Sequence, residues 1–137
     1  MDVRQHATTS FDTKRAGERP DAIAPDGSEV RLLCATARGS MAQFRLPAGA
    51  VARAVAHRTV EEIWYVVRGR GRIWLKQGDA EDIVALAAGT SLAIPAGVGF
   101  QFRNDGGEPL DILGLTMPPW PGEGEAVLVE GKWPPAV

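Results

Sequence analysis

The chain is patterned in short apolar or alternating runs of about five to eight residues, each closed by glycine or proline. Helical periodicity is hard to find anywhere. Successive side chains on a strand point to opposite faces, so this pattern marks an all-β domain rather than packed helices. The runs predict strands over 29–36, 40–46, 60–67, 72–76, 82–86, 91–94, 99–103, 110–117 and 126–129. Between them, Arg68-Gly69-Arg70-Gly71, Gln77-Gly78-Asp79 and Asn104-Asp105-Gly106-Gly107 supply residues that tolerate positive φ, as tight hairpins demand. So many short, evenly spaced strands favour a sandwich or a closed barrel, in which few edges stay unpaired.

Composition narrows the setting. At 137 residues, with 45% hydrophobic and 23% charged, the chain is the size of one soluble domain with a real core. The net charge is −2 and the basic residues are scattered, so no footprint for nucleic acid or for an anionic membrane is expected. No apolar run approaches the ~20 residues of a spanning helix, and residues 1–10 lack the apolar core of a signal peptide. The single cysteine, Cys34, sits in an apolar run and reads as a buried small hydrophobe. With no disulfide to form, a reducing cytoplasmic location is the expectation. Residues 1–20 are polar and read as a mobile or loosely docked arm, 21–117 as the β-domain, and 118–137 as a Pro- and Trp-rich tail. That tail would pack on the barrel or on a partner subunit.

Two segments concentrate the chemistry. The first runs from Gly49 through Val55, His57, Thr59, Glu61 and Glu62 into the apolar stretch Ile63-Trp64-Tyr65-Val66-Val67, and stops at Gly69. The second holds Gly89, Pro95, Gly97, Phe100, Phe102 and Asn104. In order and spacing these residues resemble the paired motifs of the cupin superfamily, small jelly-roll β-barrels that hold a metal or a ligand inside. The likeness covers about residues 40–117 and is similar in overall look to sugar-phosphate-isomerase-like cupins. It implies a cupin-type jelly-roll β-barrel and a homodimer formed through edge strands and exchanged termini. It also implies that Glu62, seven positions before Gly69, takes the acidic metal-ligand position and His57 the second histidine position. Two further ligand positions of the family fall on Val55 and Phe100, which cannot coordinate an ion. A shorter gap in the motif would instead place Ala56 and Arg58 at the histidine positions.

Alternation puts Glu62, Trp64 and Val66 on one strand face and Phe100 with Phe102 on another. If both faces look inward, they enclose an aromatic cavity with one carboxyl and one imidazole near its mouth. The candidate site is therefore His57 and Glu62 as catalytic or metal-binding groups, with Gln43, Arg45, Thr59, Trp64, Trp74, Phe100 and Phe102 as ligand-binding residues. Each has a plainer alternative. His57 could be a loop histidine bonded to a carboxylate, Glu62 could pair with Arg45 or Arg103, and the four aromatic rings could be ordinary core. Three functions stay open: a barrel that binds a small organic molecule without catalysis; a metal-dependent isomerase or dioxygenase-like enzyme; and a metal-free isomerase, epimerase or cyclase. The second would hold Zn, Mn, Fe or Ni on His57, Glu62 and a weak third donor such as Gln43 or Thr59. Removing residues 118–137 is expected to lower the oligomeric state or the solubility. An unchanged elution volume on size exclusion counts against that role for the tail.

Overall fold

The structure, a computed structural model, describes Gln5 and residues 11–137. Every regular element in it is a strand: β1 (Ala22–Ile23), β2 (Glu29–Ala35), β3 (Ser40–Leu46), β4 (Val55–His57), β5 (Glu61–Arg68), β6 (Arg70–Gln77), β7 (Ala80–Ala87), β8 (Ser91–Ile94), β9 (Gly99–Asn104), β10 (Leu110–Met117) and β11 (Ala126–Leu128). They form a six-stranded sheet in the order β1-β2-β3-β10-β5-β8 and a five-stranded sheet in the order β11-β4-β9-β6-β7. All pairings are antiparallel, and strands far apart in sequence lie side by side, β3 with β10 and β4 with β9. The fold is the jelly roll that the pattern of short strands implied. Two elements escaped the pattern, β1 and β4. Each is too short to show an alternation of its own.

The core forms where the inner faces of the two sheets meet. Along β5 the odd positions 61, 63, 65 and 67 face out and Glu62, Trp64 and Val66 are buried. Trp64, Val66, Leu110 and Ile112 from the first sheet pack with Val55, Ile73, Phe100 and Phe102 from the second. Four of the motif glycines, Gly49, Gly69, Gly89 and Gly97, have positive φ. At Gly69 any side chain would also collide with the backbone of Pro109 and Leu110, so this turn has two reasons to be glycine. Asn104 closes the barrel end by donating to the carbonyls of Leu46 and Glu108 at 2.9 and 2.8 Å. Its own carbonyl caps the following turn by accepting from Gly106 N.

The terminal segments lie on this frame. Residues 11–20 are exposed and touch the barrel through Arg31, which donates to the carbonyls of Gly17 and Glu18. The rest of the arm expected over 1–20, apart from Gln5, lies outside the described residues. Cys34 is half-buried, not buried as its apolar run suggested. It lies within an irregularity in the β2–β3 register, between Leu32 and Ala35, and meets the arm at the Asp12 carbonyl. At the other end, Gln101 on β9 points away from the core and is fully buried under the tail. It donates to the carbonyls of Ala52 and Trp133 and accepts from the Lys132 and Trp133 amides, all at 2.8–2.9 Å. The guanidinium groups of Arg72 and Arg103 lie over the Trp133 ring at 5.5 and 5.1 Å, and both also grip Asp105.

Gln101→Ala strips four hydrogen bonds, one to the buried Ala52 carbonyl and three to the tail at Lys132 and Trp133. It is expected to cost about 2 kcal/mol or more of stability, read by denaturant unfolding, and to raise protease cleavage after residue 130. Unchanged stability and cleavage would mean that the tail is held by other contacts.

Candidate functional site

Between the sheets lies a cavity of about 370 Å³. Its walls come from inward positions of β2, β3, β4, β5, β9 and β10, from the 22–26 segment, and from tail residues 120–126. The aromatic groups Phe44, Trp64, Phe100 and Trp120 share the apolar lining with aliphatic side chains such as Val30, Leu32 and Val55. The polar groups are His57, Glu62, Asp26, Glu123, Gln5, Ser40 and Thr116. Gly114 belongs to the wall for a steric reason. A Cβ there would run into the Phe44 ring and come within 3.0 Å of the Glu62 carboxyl.

Glu62 and His57 meet at the centre. The Trp64 indole N–H, two residues along the same strand face, donates to Glu62 Oε1 at 2.5 Å. Glu62 Oε2 lies 3.3 Å from His57 Nδ1. That contact is close but not aligned as a hydrogen bond, so among the described residues Nδ1 has no hydrogen-bond partner. Both side chains are deeply buried, Glu62 at 2% exposure and His57 at 7%. The imidazole is packed edge-on against Phe100 and Trp120, with ring centroids 5.3 and 5.0 Å away.

Burial sets the protonation of this pair. It pushes the Glu62 carboxyl up to about 8, opposed by the Trp64 N–H and reinforced by Asp26. It holds His57 down at about 4, against the pull of Glu125. Asp26 is likewise raised by burial, against the Ser28 hydroxyl and amide that donate to it. Near pH 7 the cavity thus presents a neutral carboxylic acid beside a neutral imidazole.

The structure sorts the residues singled out from the sequence. His57, Glu62, Trp64 and Phe100 share the cavity wall. Phe102 stands behind that wall, 5.0 Å from Trp64 by ring centroids. Four ligand-binding expectations are corrected. Gln43 and Arg45 lie on the outer face of β3, because Ala42, Phe44 and Leu46 take the inward positions; Arg45 pairs with Asp111 at 2.7 Å. Thr59 is held by Glu125, donating to it through both hydroxyl and amide. Trp74 faces away from the cavity and donates to Glu81. Glu62 does not pair with Arg45, nor with Arg103, which is bound to Asp105. The reading missed Asp26, Phe44, Ser40, Gly114, Thr116 and Trp120. Phe44 could have been found from the apolar alternation of β3, whereas Trp120 and Asp26 arrive from segments without strand periodicity.

The chain belongs to the cupin family. The cupin domain model matches residues 42–116, and an uncharacterized protein of Methanocaldococcus jannaschii is 31% identical over 111 residues, 77% of this chain and 86% of its own length. Among solved structures, a point mutant of Bacillus subtilis oxalate decarboxylase superposes with a TM-score of 0.69 at 20% identity, covering 80% of this chain and 30% of the decarboxylase. KdgF from Halomonas sp. gives 0.63 at 17% identity, with 73% and 86% covered. CapF, a capsular polysaccharide assembling protein of Staphylococcus aureus, gives 0.67 at 18% identity, with 79% and 33% covered. The chain thus spans about a third of the decarboxylase and CapF chains. At these identities the shared property is the fold.

The donors among the described residues do not complete a family metal site. Catalytic zinc sites use three protein ligands, and among the described residues no three His, Cys, Asp or Glu side chains cluster to hold an ion. Val55 and Phe100 present hydrocarbon to the cavity where the family motif would place ligands.

The shifted pair gives stability a defined pH dependence. Unfolded Glu62 loses its proton near 4.5 and folded Glu62 near 8, so its contribution to stability is full below 4.5 and is lost as pH rises through 8. Unfolded His57 gains its proton near 6.5 and folded His57 near 4, so it costs stability as pH falls across that window. Between 4.5 and 6.5 the two slopes oppose. From 6.5 to 8 Glu62 acts without that opposition, at up to ~1.4 kcal/mol per pH unit. Denaturant unfolding at pH 6.5 and 8 should show a loss of stability in the wild type that Glu62→Gln largely removes. Equal losses in both proteins would contradict the burial of an ionisable carboxyl.

Proposed function

We propose that this protein is a cupin that binds a small organic molecule inside its barrel, with an apolar body and one polar end. The observation that carries this is the cavity itself. Aromatic walls converge on a buried acid and on an imidazole whose Nδ1 has no hydrogen-bond partner among the described residues. A buried polar atom left unpaired costs about 1–3 kcal/mol, a cost that a ligand hydrogen-bonded there would relieve. The volume suits a compact ligand rather than a polymer.

A metal-free proton-transfer enzyme is the second reading, favoured by the 3.3 Å approach of two groups shifted in opposite directions. A protonated Glu62 and a neutral His57 are an acid and a base facing one cavity, the arrangement that isomerisation or epimerisation uses. Ligand binding is common to both readings, and turnover separates them: Glu62→Gln would keep affinity and lose rate only in an enzyme.

Thermal-shift and native mass-spectrometric screening of untagged protein against compact organic molecules is expected to find binders that raise Tm in the wild type. The same binders should fail with Gly114→Ala, whose added methyl meets Phe44 and Glu62. Binders indifferent to that substitution would sit elsewhere. Near-stoichiometric Mn, Fe, Ni or Zn that disappears in His57→Ala would replace this reading with a metal enzyme.

A further inference from the structure

Two short segments separate the cavity from solvent. Among the described residues of its wall, the exposed ones are Ile23 and Pro25 on one side and Glu123 and Gly124 on the other. The remaining described wall residues are buried or half-buried. The cavity therefore reaches the surface between the 22–26 segment and residues 118–125.

The second segment crosses the end of the barrel. β10 ends at Met117 in the six-stranded sheet, and β11 starts at Ala126 in the five-stranded sheet. Residues 118–125 form a strap from one sheet to the other, with Trp120, Gly122, Glu123 and Gly124 against the cavity. No helix or strand runs through the strap. Gly122 and Gly124 flank Glu123 at φ of 106° and 84°, and glycine leaves the backbone free to take other values at both points. Hydrogen bonds to two different elements pin it. The Ser40 hydroxyl on β3 accepts from the Trp120 amide at 2.9 Å. Glu125 accepts from the Thr59 amide and hydroxyl at 2.7 and 2.6 Å, and from the Val60 amide at 3.2 Å. Water can replace such bonds one for one, so breaking them costs far less than opening the sheets.

The facing segment is fixed. Its Ala24 amide donates to the Ser28 carbonyl, its Gly27 amide donates to the Ala24 carbonyl, and the Asp26 carbonyl accepts from the Arg53 amide, all at 2.8–2.9 Å. Ala22 and Ile23 are paired with β2. Resting on the reading of the cavity as a ligand site, we infer that residues 118–125 are its gate. Small molecules pass between the strap and the 22–26 segment when the Ser40–Trp120 and Thr59–Glu125 contacts open together. Trp120 leaves with the strap, so opening also takes one indole out of the wall.

The test needs no natural ligand. Ala42 is an inward residue of β3 on the cavity wall, 6% exposed. Ala42→Cys in a Cys34→Ser background reports entry through its rate of labelling by methyl methanethiosulfonate, a compact thiol reagent. Val55→Cys, also on the wall, serves if the first probe does not fold. Glu125→Ala and Ser40→Ala are each expected to raise the labelling rate about tenfold or more. Thr59→Val, which keeps the amide bond to Glu125, should raise it less. Amide hydrogen exchange at Thr59, Val60 and Trp120 should quicken in both alanine variants, while Trp64 and Ile112 on the central strands stay protected. Labelling indifferent to both variants places the entrance elsewhere and overturns the gate. Exchange that quickens at Trp120 only in Ser40→Ala, and at Thr59 only in Glu125→Ala, overturns the joint opening. Exchange at Trp64 and Ile112 rising in step with the strap replaces the gate with unfolding of the whole barrel. An empty ligand screen beside strap-controlled labelling removes the ligand reading and leaves a gated cavity; binders beside indifferent labelling do the reverse.

Discussion

A carboxyl group enclosed by aromatic rings cannot keep its charge without a partner, and among the described residues Glu62 has no Lys or Arg beside it. Its hydrogen-bond donor is the indole of Trp64, on the same face of the same strand. Everything about the site follows from how that group is settled. The proton it retains leaves the centre of the cavity uncharged near pH 7. His57 is caught in the same constraint from the other side, kept uncharged by burial and packed between Phe100 and Trp120. The pair is stable as two neutral groups and poorly satisfied as hydrogen-bonding groups, the condition of a site shaped for something else.

The frame that holds them was largely readable from the chain. Burial alternates cleanly along β5, where Glu62, Trp64 and Val66 turn to the core and positions 61, 63, 65 and 67 turn out. The glycines of both motifs were legible because each sits at a turn with positive φ, which few other residues tolerate. Counting put Glu62 on one face with Trp64 and Val66, and the structure shows that face to be the inward one.

What was not legible depends on covering by distant segments. Trp74 looks like a pocket wall from its size, yet it faces away from the cavity on β6 and is buried there, on a sheet whose outer face also carries the tail around Gln101. Thr59 looked free to bind a ligand because its partner, Glu125, is 66 residues away. Gln43 and Arg45 were assigned to the wrong face because polar residues near a suspected site invite a chemical role. The apolar set Ala42, Phe44 and Leu46 on the same strand was the better guide. A strand of three residues such as β4 carries too little periodicity to announce itself, although it delivers both Val55 and His57.

One tie gives the cavity a mechanical property. Glu125 holds the amides of Thr59 and Val60 and the Thr59 hydroxyl, and its carbonyl takes the Arg58 amide. The tail residues that wall the cavity are therefore latched to the loop that begins one residue after His57. Prising Trp120 and Glu123 aside to admit a guest would pull on that latch and shift the imidazole at the same stroke. Doorway and binding group would move as a single hinged piece, so admission and recognition need not be separate events.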